Sequence, residues 1–230
     1  MRPIRSVAGV VRKLTPIRSD FDSDVFGVRV GWAHDLDFEQ GDFDLVFLSS
    51  GWPAPLHPRA SVVDVRFDMA LRLGAGVRDD TSRVAVADRS EDRDFAADLA
   101  ASQLAPHSRY FLDERLAPRA GEVYRRWVSA VYERGDLLVV RGSGFLCVSR
   151  APTRGPTLRL DLVAVAPDRL GDGTADALMY AFLALPDAGE RRVRVGVGNV
   201  RAIHYYIKHG FMLADAECVQ HVWAQTGGRP

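Results

Sequence analysis

The stretch that decides the fold reads Val163-Ala-Val-Ala-Pro-Asp-Arg-Leu-Gly-Asp-Gly-Thr-Ala175. Its apolar start predicts the end of a buried strand, Pro167 predicts a turn, and the apolar spacing predicts a helix over Thr174–Leu185. Gly171 and Gly173 lack side chains where the chain must turn tightly, so a ligand can approach the backbone there. A helix that begins at such a turn presents unpaired N–H groups and the positive end of its dipole. The pattern suits a pyrophosphate, although an ordinary strand-to-helix connection explains the same glycines.

Two common phosphate-binding motifs are excluded by single residues. A nucleoside-triphosphate P-loop requires a lysine after its second glycine, and none follows Gly173. The dinucleotide pattern G-x-G-x-x-G fails because Asp176 stands at the third glycine position. A second candidate, Gly196-Val-Gly198, has Arg201 at that position. A dinucleotide-binding oxidoreductase is therefore disfavoured.

The second informative segment is Asn199-Val-Arg-Ala-Ile-His-Tyr-Tyr-Ile-Lys-His-Gly-Phe211. At about 100° per residue, a helix places five of its residues on one stripe: Asn199, Ala202, Ile203, Tyr206 and Gly210. Tyr205 points to the opposite side. The spacing therefore predicts different surroundings for two adjacent tyrosines, although a tyrosine that only packs in the core is the commoner case.

Together the two segments resemble the motifs of the GNAT acyl-CoA N-acyltransferases. The first family motif is a β-bulged strand followed by V-x-P-x-x-[RQ]-x-x-G-x-[GA], matched here at Val165, Pro167, Gly173 and Ala175. Leu170 replaces the arginine or glutamine of that motif. The second motif, N-x-x-A-x-x-x-Y-x-x-x-G-F, is matched at Asn199, Ala202, Tyr206, Gly210 and Phe211. The resemblance implies an α/β (α+β) GNAT fold, with a mixed, splayed central sheet flanked by helices.

The resemblance also implies acetyl-CoA as co-substrate and no metal. The thioester would lie along Asp161–Val165, in a V that opens between this strand and Arg192–Val197. The N–H of Val163 or a neighbour would polarise the thioester carbonyl. The cofactor-binding residues are then Val163, Val165, Leu170, Gly171, Asp172, Gly173, Thr174, Ala175 and Asn199.

Two catalytic residues follow from the same resemblance. Tyr206 would protonate the departing thiolate, and Asp161 is the best side-chain candidate for the base that deprotonates the amine. Other candidates for the base are a chain of water molecules and three histidines: His107, His204 and His221. Each of these groups could equally be an ordinary surface or structural residue.

Three further stretches resemble the TDP-fucosamine N-acetyltransferase family: Asp22–Gly27, His107–Asp113 and Tyr124–Trp127. This resemblance implies acetylation of the 4-amino group of a dTDP-linked 4-amino-4,6-dideoxy sugar, contacts from Arg109 and Tyr110 to that substrate, and a homodimer. Two alternatives stay open. One is a GNAT enzyme for another small-molecule amine or a protein N-terminus, and the other is a non-catalytic acyl-CoA sensor.

A composition shift at Leu73–Arg83 suggests two parts. Residues 1–80 are expected to form a small N-terminal lobe that contains a sheet, and residues 81–230 the GNAT catalytic domain. Strands are predicted at Val28–Trp32, Leu45–Ser49 and Ser61–Leu73 before this boundary. Beyond it, strands and helices alternate up to a final strand at Glu217–Trp223.

Charge and cysteine content bear on the expected partners and cellular location of the protein. Thirty basic side chains balance thirty acidic ones, which gives no electrostatic reason to expect a nucleic acid or a membrane as partner. The two cysteines, Cys147 and Cys218, have no metal-ligand spacing. No signal peptide or membrane span is recognised, so we expect a cytoplasmic protein.

Overall fold

The computed structural model describes residues 14–72, 81–151, 157–186 and 189–225. The strands are β1 (Ile17–Arg18), β2 (Val30–Ala33), β3 (Leu45–Gly51), β4 (Ala60–Arg72), β5 (Ala85–Val86), β6 (Leu137–Val140), β7 (Gly144–Ala151), β8 (Thr157–Val165), β9 (Glu190–Gly196) and β10 (Met212–Trp223). The α-helices are α1 (Asp20–Phe26), α2 (Ser90–Gln103), α3 (Arg109–Leu112), α4 (Ala120–Glu133), α5 (Thr174–Ala184) and α6 (Val200–Lys208).

All these strands belong to one mixed sheet with helices on both faces. Its order is β1-β2-β3-β10-β4-β9-β8-β7-β6-β5. The pairs β2–β3 and β8–β9 are parallel, and the other neighbours are antiparallel. One core packs the sheet against α1, α2 and α4, and a second packs it against α5 and α6. The predicted fold class, a mixed sheet flanked by helices, is confirmed.

A β-bulge in β8 changes which face its side chains cover. The register with β7 shifts between the pairs Cys147↔Leu162 and Val148↔Leu160, which leaves Asp161 as the extra residue. Before the bulge Leu160 packs in the α5–α6 core, and after it Leu162 packs in the core of α2 and α4. The strand is therefore buried on both faces, as its apolar sequence requires.

Strands from the N-terminal part are interleaved with strands from the rest of the chain. β4 lies between β9 and β10, and β10 lies between β3 and β4. The two parts of the chain thus share a single sheet. The boundary predicted at Leu73–Arg83 falls largely outside the described residues, as does Leu73 itself, and the division into 1–80 and 81–230 stays a prediction.

Most predicted elements are present with ends shifted by a few residues. The expected turn between β6 and β7 is found at residues 141–143, where Gly142 has a φ of +66° that favours glycine. The short helices α1 and α3 were not predicted. Ser19 and Ser108 cap them by accepting bonds from the backbone N–H groups of Asp22 and Phe111. Within the described ranges, no helix combines the length and the apolar character that crossing a membrane requires.

Candidate active site

The two parallel strands at the middle of the sheet separate partway along their length. β8 and β9 pair from Thr157↔Glu190 to Leu160↔Val193, and no pair follows. A cavity of about 310 Å³, here called the cleft, opens where they part. Four of the predicted catalytic and cofactor-binding residues line it: Asp161, Val163, Asn199 and Tyr206. The open V that the resemblance implies between these two strands is present.

Beyond the end of β8, the glycine turn delivers free amides to the start of α5. Gly171 and Gly173 have φ values of +88° and +85°, which only glycine adopts at low cost. Among the described residues, the backbone N–H groups of Gly173, Ala175 and Asp176 meet no hydrogen-bond acceptor. Unpaired amides at the positive end of a helix dipole bind phosphate oxygens. The turn therefore fits the diphosphate of coenzyme A.

Asp172 is the feature of this turn that fits a diphosphate least well. Its Oδ1 accepts a bond of 2.9 Å from the N–H of Thr174, so one of the amides at the helix start already has an anionic partner. This bond lowers the pKa of Asp172, which keeps the carboxylate charged at neutral pH. Arg83 lies 3.8 Å from the same carboxylate. Leu170 is more than half exposed and adds no positive charge.

The two adjacent tyrosines of α6 lie in different surroundings. Tyr206 is 4% exposed, lines the cleft, packs on Phe211, and no hydrogen bond of its hydroxyl to the described residues is seen. Tyr205 instead donates to the carbonyl oxygen of Ala175 at 2.7 Å and so ties α6 to the start of α5. Burial raises the pKa of Tyr206, so its phenol is protonated at neutral pH.

Asp161 reaches the cleft from the bulge in β8. Burial raises the pKa of its carboxyl above the ordinary value, and a hydrogen bond from Ser149 opposes that shift. A carboxylate with a raised pKa is a stronger base than a solvated one. Of the other candidate bases, His107 lines the cleft, whereas the exposed His204 does not.

His221, considered above as a candidate base, instead pairs with Asp113 in the core. It is fully buried in β10, and its Nδ1 lies 2.8 Å from Oδ2 of Asp113. His221 does not line the cleft, so it is not placed to accept a proton there.

Asn199 stands at the mouth of the cleft and begins α6. Its Oδ1 accepts from the N–H of Ala202 at 3.1 Å, as a helix N-cap does. The side-chain amide nitrogen is left as a donor. This placement is compatible with a bond to a carbonyl of pantetheine.

A second cavity of about 560 Å³, here called the side cavity, adjoins the cleft. The cleft and the side cavity share five wall residues: Arg66, Arg109, Tyr110, Trp127 and Arg194. A volume of this order is typical of sites for small molecules. The side cavity is therefore a neighbour of the cleft, and it has room for a small molecule.

Two segments far apart in the sequence meet in the side cavity. Asp22 in α1 accepts from Nε1 of Trp32 at 3.3 Å and from the hydroxyl of Tyr110 in α3 at 3.5 Å. Nη2 of Arg109 donates to the same hydroxyl at 2.6 Å. The residues predicted to touch the substrate, Arg109 and Tyr110, thus lie between the side cavity and the cleft.

Comparison with solved structures identifies the fold. A GNAT-family protein from Novosphingobium aromaticivorans DSM 12444 matches with a TM-score of 0.53 and 16% identity, over 89% of this chain and 81% of that one. The chain has the GNAT fold. A conserved protein of unknown function from Staphylococcus epidermidis ATCC 12228 is also similar, with a TM-score of 0.56, 9% identity and 96% of both chains covered.

Other comparisons add little to the GNAT fold. A tandem GNAT protein from the clavulanic acid biosynthesis pathway matches with 13% identity and a TM-score of 0.48 over 80% of this chain, which spans only 64% of that protein. No protein-family model and no curated sequence matches the chain. At identities this low, the structural similarity shows the fold alone, and the substrate has to be argued from the site.

The GNAT fold brings together only part of the predicted site. Asp161, Val163, Asn199 and Tyr206 line the cleft together with Arg109 and Tyr110. The remaining predicted residues lie outside this lining, at the end of β8 and the start of α5: Val165, Leu170, Gly171, Asp172, Gly173, Thr174 and Ala175.

Sequence reasoning missed a group of charged side chains that lines the side cavity, here called the charged floor: Arg66, Arg194 and Glu217. Glu217 of β10 lies 3.0 Å from Nη2 of Arg66 and 3.2 Å from Nη1 of Arg194, and it also accepts from the hydroxyl of Ser49. Burial by itself would raise the pKa of Glu217, but the nearby arginines and the bond from Ser49 together hold that pKa below its ordinary value. The alternation Asp64-Val-Arg-Phe-Asp68 was the available signal, because it places three charged side chains on one face of a strand. The alternation alone does not tell whether that face is solvated or covered.

Proposed function

We propose that this chain transfers an acetyl group from acetyl-CoA to an amine. The observation that carries the proposal is the cleft that opens beyond Leu160 and Val193, which is lined by Asp161 of β8 and Tyr206 of α6. The free amides at the start of α5 offer a place for the diphosphate of the same molecule. A GNAT fold alone does not imply a reaction, so the argument rests on these residues.

Each residue of the cleft has a task in this proposal. Bound acetyl-CoA supplies an acetyl group activated as a thioester. Asp161 accepts a proton from the amine, whose nitrogen forms the new bond to the acetyl carbon. Tyr206 donates a proton to the sulfur as the carbon–sulfur bond breaks. A backbone N–H of β8 near Val163 stabilises the developing negative charge on oxygen, an effect commonly worth about 3 kcal/mol.

The proposed acid is workable on energetic grounds. A free thiol has a pKa of about 8.5 and a phenol about 10, so the proton transfer is uphill by roughly 2 kcal/mol. Burial raises the pKa of Tyr206 further, and desolvation of a thiolate in the same cleft raises its basicity in the same direction. Neither buried cysteine lines the cleft or the side cavity, so direct attack by the amine is preferred over an acyl-enzyme.

For the acceptor, we propose the 4-amino group of a dTDP-linked 4-amino-4,6-dideoxy sugar. The proposal is supported by the meeting of Asp22, Arg109 and Tyr110, since these residues belong to the stretches that resemble the TDP-fucosamine N-acetyltransferases. The side cavity offers room for a sugar next to the cleft. Other small amines and a protein N-terminus are the competing acceptors.

A free-thiol release assay with acetyl-CoA tests the proposal. The panel contains dTDP-linked 4-amino sugars, simple amino sugars, polyamines and peptides, and a thermal-shift titration with coenzyme A runs beside it. Thiol release with the nucleotide sugars supports the whole proposal, whereas release only with peptides retains acyl transfer and rejects the sugar. Binding of coenzyme A without transfer to any amine would instead support a sensor.

A further inference from the structure

Among the described residues, two arginine side chains are almost completely buried, and the burial of only one of them has a structural explanation. Arg191 is 1% exposed, and its guanidinium donates to backbone carbonyls at the end of α5, among them those of Phe182 and Leu183. The negative end of a helix dipole favours a cation at this position. Arg191 therefore serves the packing of α5.

Arg109 is 9% exposed, and its charge is not balanced in this way. Its Nη2 donates to the hydroxyl of Tyr110, but its Nε is buried without a partner. Within the part of the chain that the structure describes, no carboxylate lies within 4.0 Å of its nitrogens. The guanidinium lies 5.4 Å from the ring centre of Trp32 and 5.0 Å from that of Phe47. These rings attract the charge without satisfying its N–H groups.

Among the described residues, the two arginines that share a wall with Arg109 have carboxylate partners of their own. Arg66 and Arg194 are each paired with Glu217 and with one aspartate of β4. Burial and then the charge of Arg109 lower the pKa of Arg66. Arg109 is linked to a carboxylate indirectly, through the hydroxyl of Tyr110, which donates to Asp22.

We infer that Arg109 binds an oxyanion of the acceptor, so that the acceptor is an amine that also carries a phosphate or a carboxylate. The role of the anion in catalysis rests on the proposed function, whereas the anion site itself does not. A planar guanidinium can bind two oxygens of such a group at once. Because Arg109 lines both the cleft and the side cavity, the bound anion would place the rest of the acceptor toward the cleft. A polyamine would leave the guanidinium unpaired.

The anion site is tested by binding, without turnover. The protein is first saturated with coenzyme A, so that the proposed diphosphate site at the start of α5 is filled. It is then titrated with inorganic phosphate or acetate at an ionic strength held constant with chloride. We expect one or both anions to raise Tm. Arg109→Met should weaken that anion at least about tenfold, because a bidentate, charge-assisted contact is lost. Arg191→Met removes the other buried arginine and should leave the anion affinity within about twofold.

The outcomes separate this inference from the proposed function. Stabilisation by phosphate alone or by acetate alone identifies the kind of anion. No effect of either anion on the wild type, or an equal effect on Arg109→Met, would overturn the inference. If coenzyme A itself does not bind, the proposed function fails, and the same titrations without it still decide the anion site. Should Arg109→Met not fold, Arg109→Lys replaces it, with a weaker anion affinity expected from the loss of the planar fork.

Discussion

The clearest prediction concerns Tyr206 and its neighbour Tyr205, because the chain provides its own matched control. The hydroxyl of Tyr206 faces no acceptor among the described residues, whereas that of Tyr205 donates to the carbonyl oxygen of Ala175 at 2.7 Å. Each Tyr→Phe change removes one oxygen from the same helix turn. Only the first change removes the proposed proton donor, and only the second removes a bond that holds the fold.

We therefore expect Tyr206→Phe to lose activity but not stability, and Tyr205→Phe to lose stability but not activity. Tyr206→Phe is expected to lower the rate of acyl transfer at least about 100-fold, the usual effect of losing a general acid. That factor corresponds to about 2.7 kcal/mol of activation free energy. Its stability should change by less than about 0.5 kcal/mol, since no hydrogen bond is lost. Tyr205→Phe should lose about 1 kcal/mol of stability, or roughly 2–4 °C in Tm, and keep its transfer rate within about threefold.

Single-turnover thiol release, with enzyme in excess over acetyl-CoA, measures the chemical step without interference from product release. Thermal unfolding and acetyl-CoA titrations of both variants accompany it. A Tyr206→Phe variant that binds acetyl-CoA normally and transfers at the wild-type rate would refute the role of this hydroxyl. Equal losses of rate in both variants would show that the effect comes from α6 as a whole.

Further predictions concern single residues of β8, of the glycine turn before α5, and of the start of β7. Asp161→Asn should lower kcat/KM at least about 100-fold and abolish the fall in rate toward acid pH. Because burial raises the pKa of Asp161, the charged carboxylate destabilises the folded protein once the pH exceeds about 4. The variant carries no such charge, so its Tm at pH 7 should not fall. A Tm that drops with the rate would indicate a structural role. Asp172→Asn should tighten acetyl-CoA several-fold at low salt by removing a negative charge from the diphosphate site, and weaker binding in calorimetry would contradict this. Gly144→Ala should lower the free energy of unfolding, measured with denaturant, by about 1–3 kcal/mol, because the new Cβ would lie 2.8 Å from the carbonyl oxygen of Ala164. The control is Gly121→Ala in α4, where the new Cβ would meet no atom closer than 3.5 Å.

Local patterns predicted most elements of the fold. The alternation over Ser61–Leu73 indicated β4, and the glycine turn with the apolar spacing after it indicated β8 and α5. The helical spacing after Asn199 separated the two tyrosines of α6, which the structure places in different surroundings. The catalytic roles assigned to these residues stay predictions.

The order of the strands lay beyond local patterns. β4 pairs with β9 and β10, which are more than 100 residues away in the sequence, and nothing in the sequence of β4 specifies those partners. The short helix α3 was missed because it has one turn, too few residues to show a periodicity. Its position decides the site, since it brings Arg109 over the sheet.

The charged floor of the side cavity was missed for a related reason. A strand that alternates apolar and polar residues is usually buried on one face and solvated on the other. In β4 the polar face is instead covered, so that Arg66 meets Glu217 in a partly enclosed space. Only the packing of α3 and α4 above the sheet distinguishes these two cases.

The central claim is that coenzyme A lies between β8 and β9. A crystal structure of the complex tests it most directly. We predict the diphosphate on the amides at the start of α5, the pantetheine between the separated strands, and the sulfur within hydrogen-bond reach of the Tyr206 hydroxyl. Coenzyme A bound elsewhere, or a sulfur remote from that hydroxyl, would contradict the account.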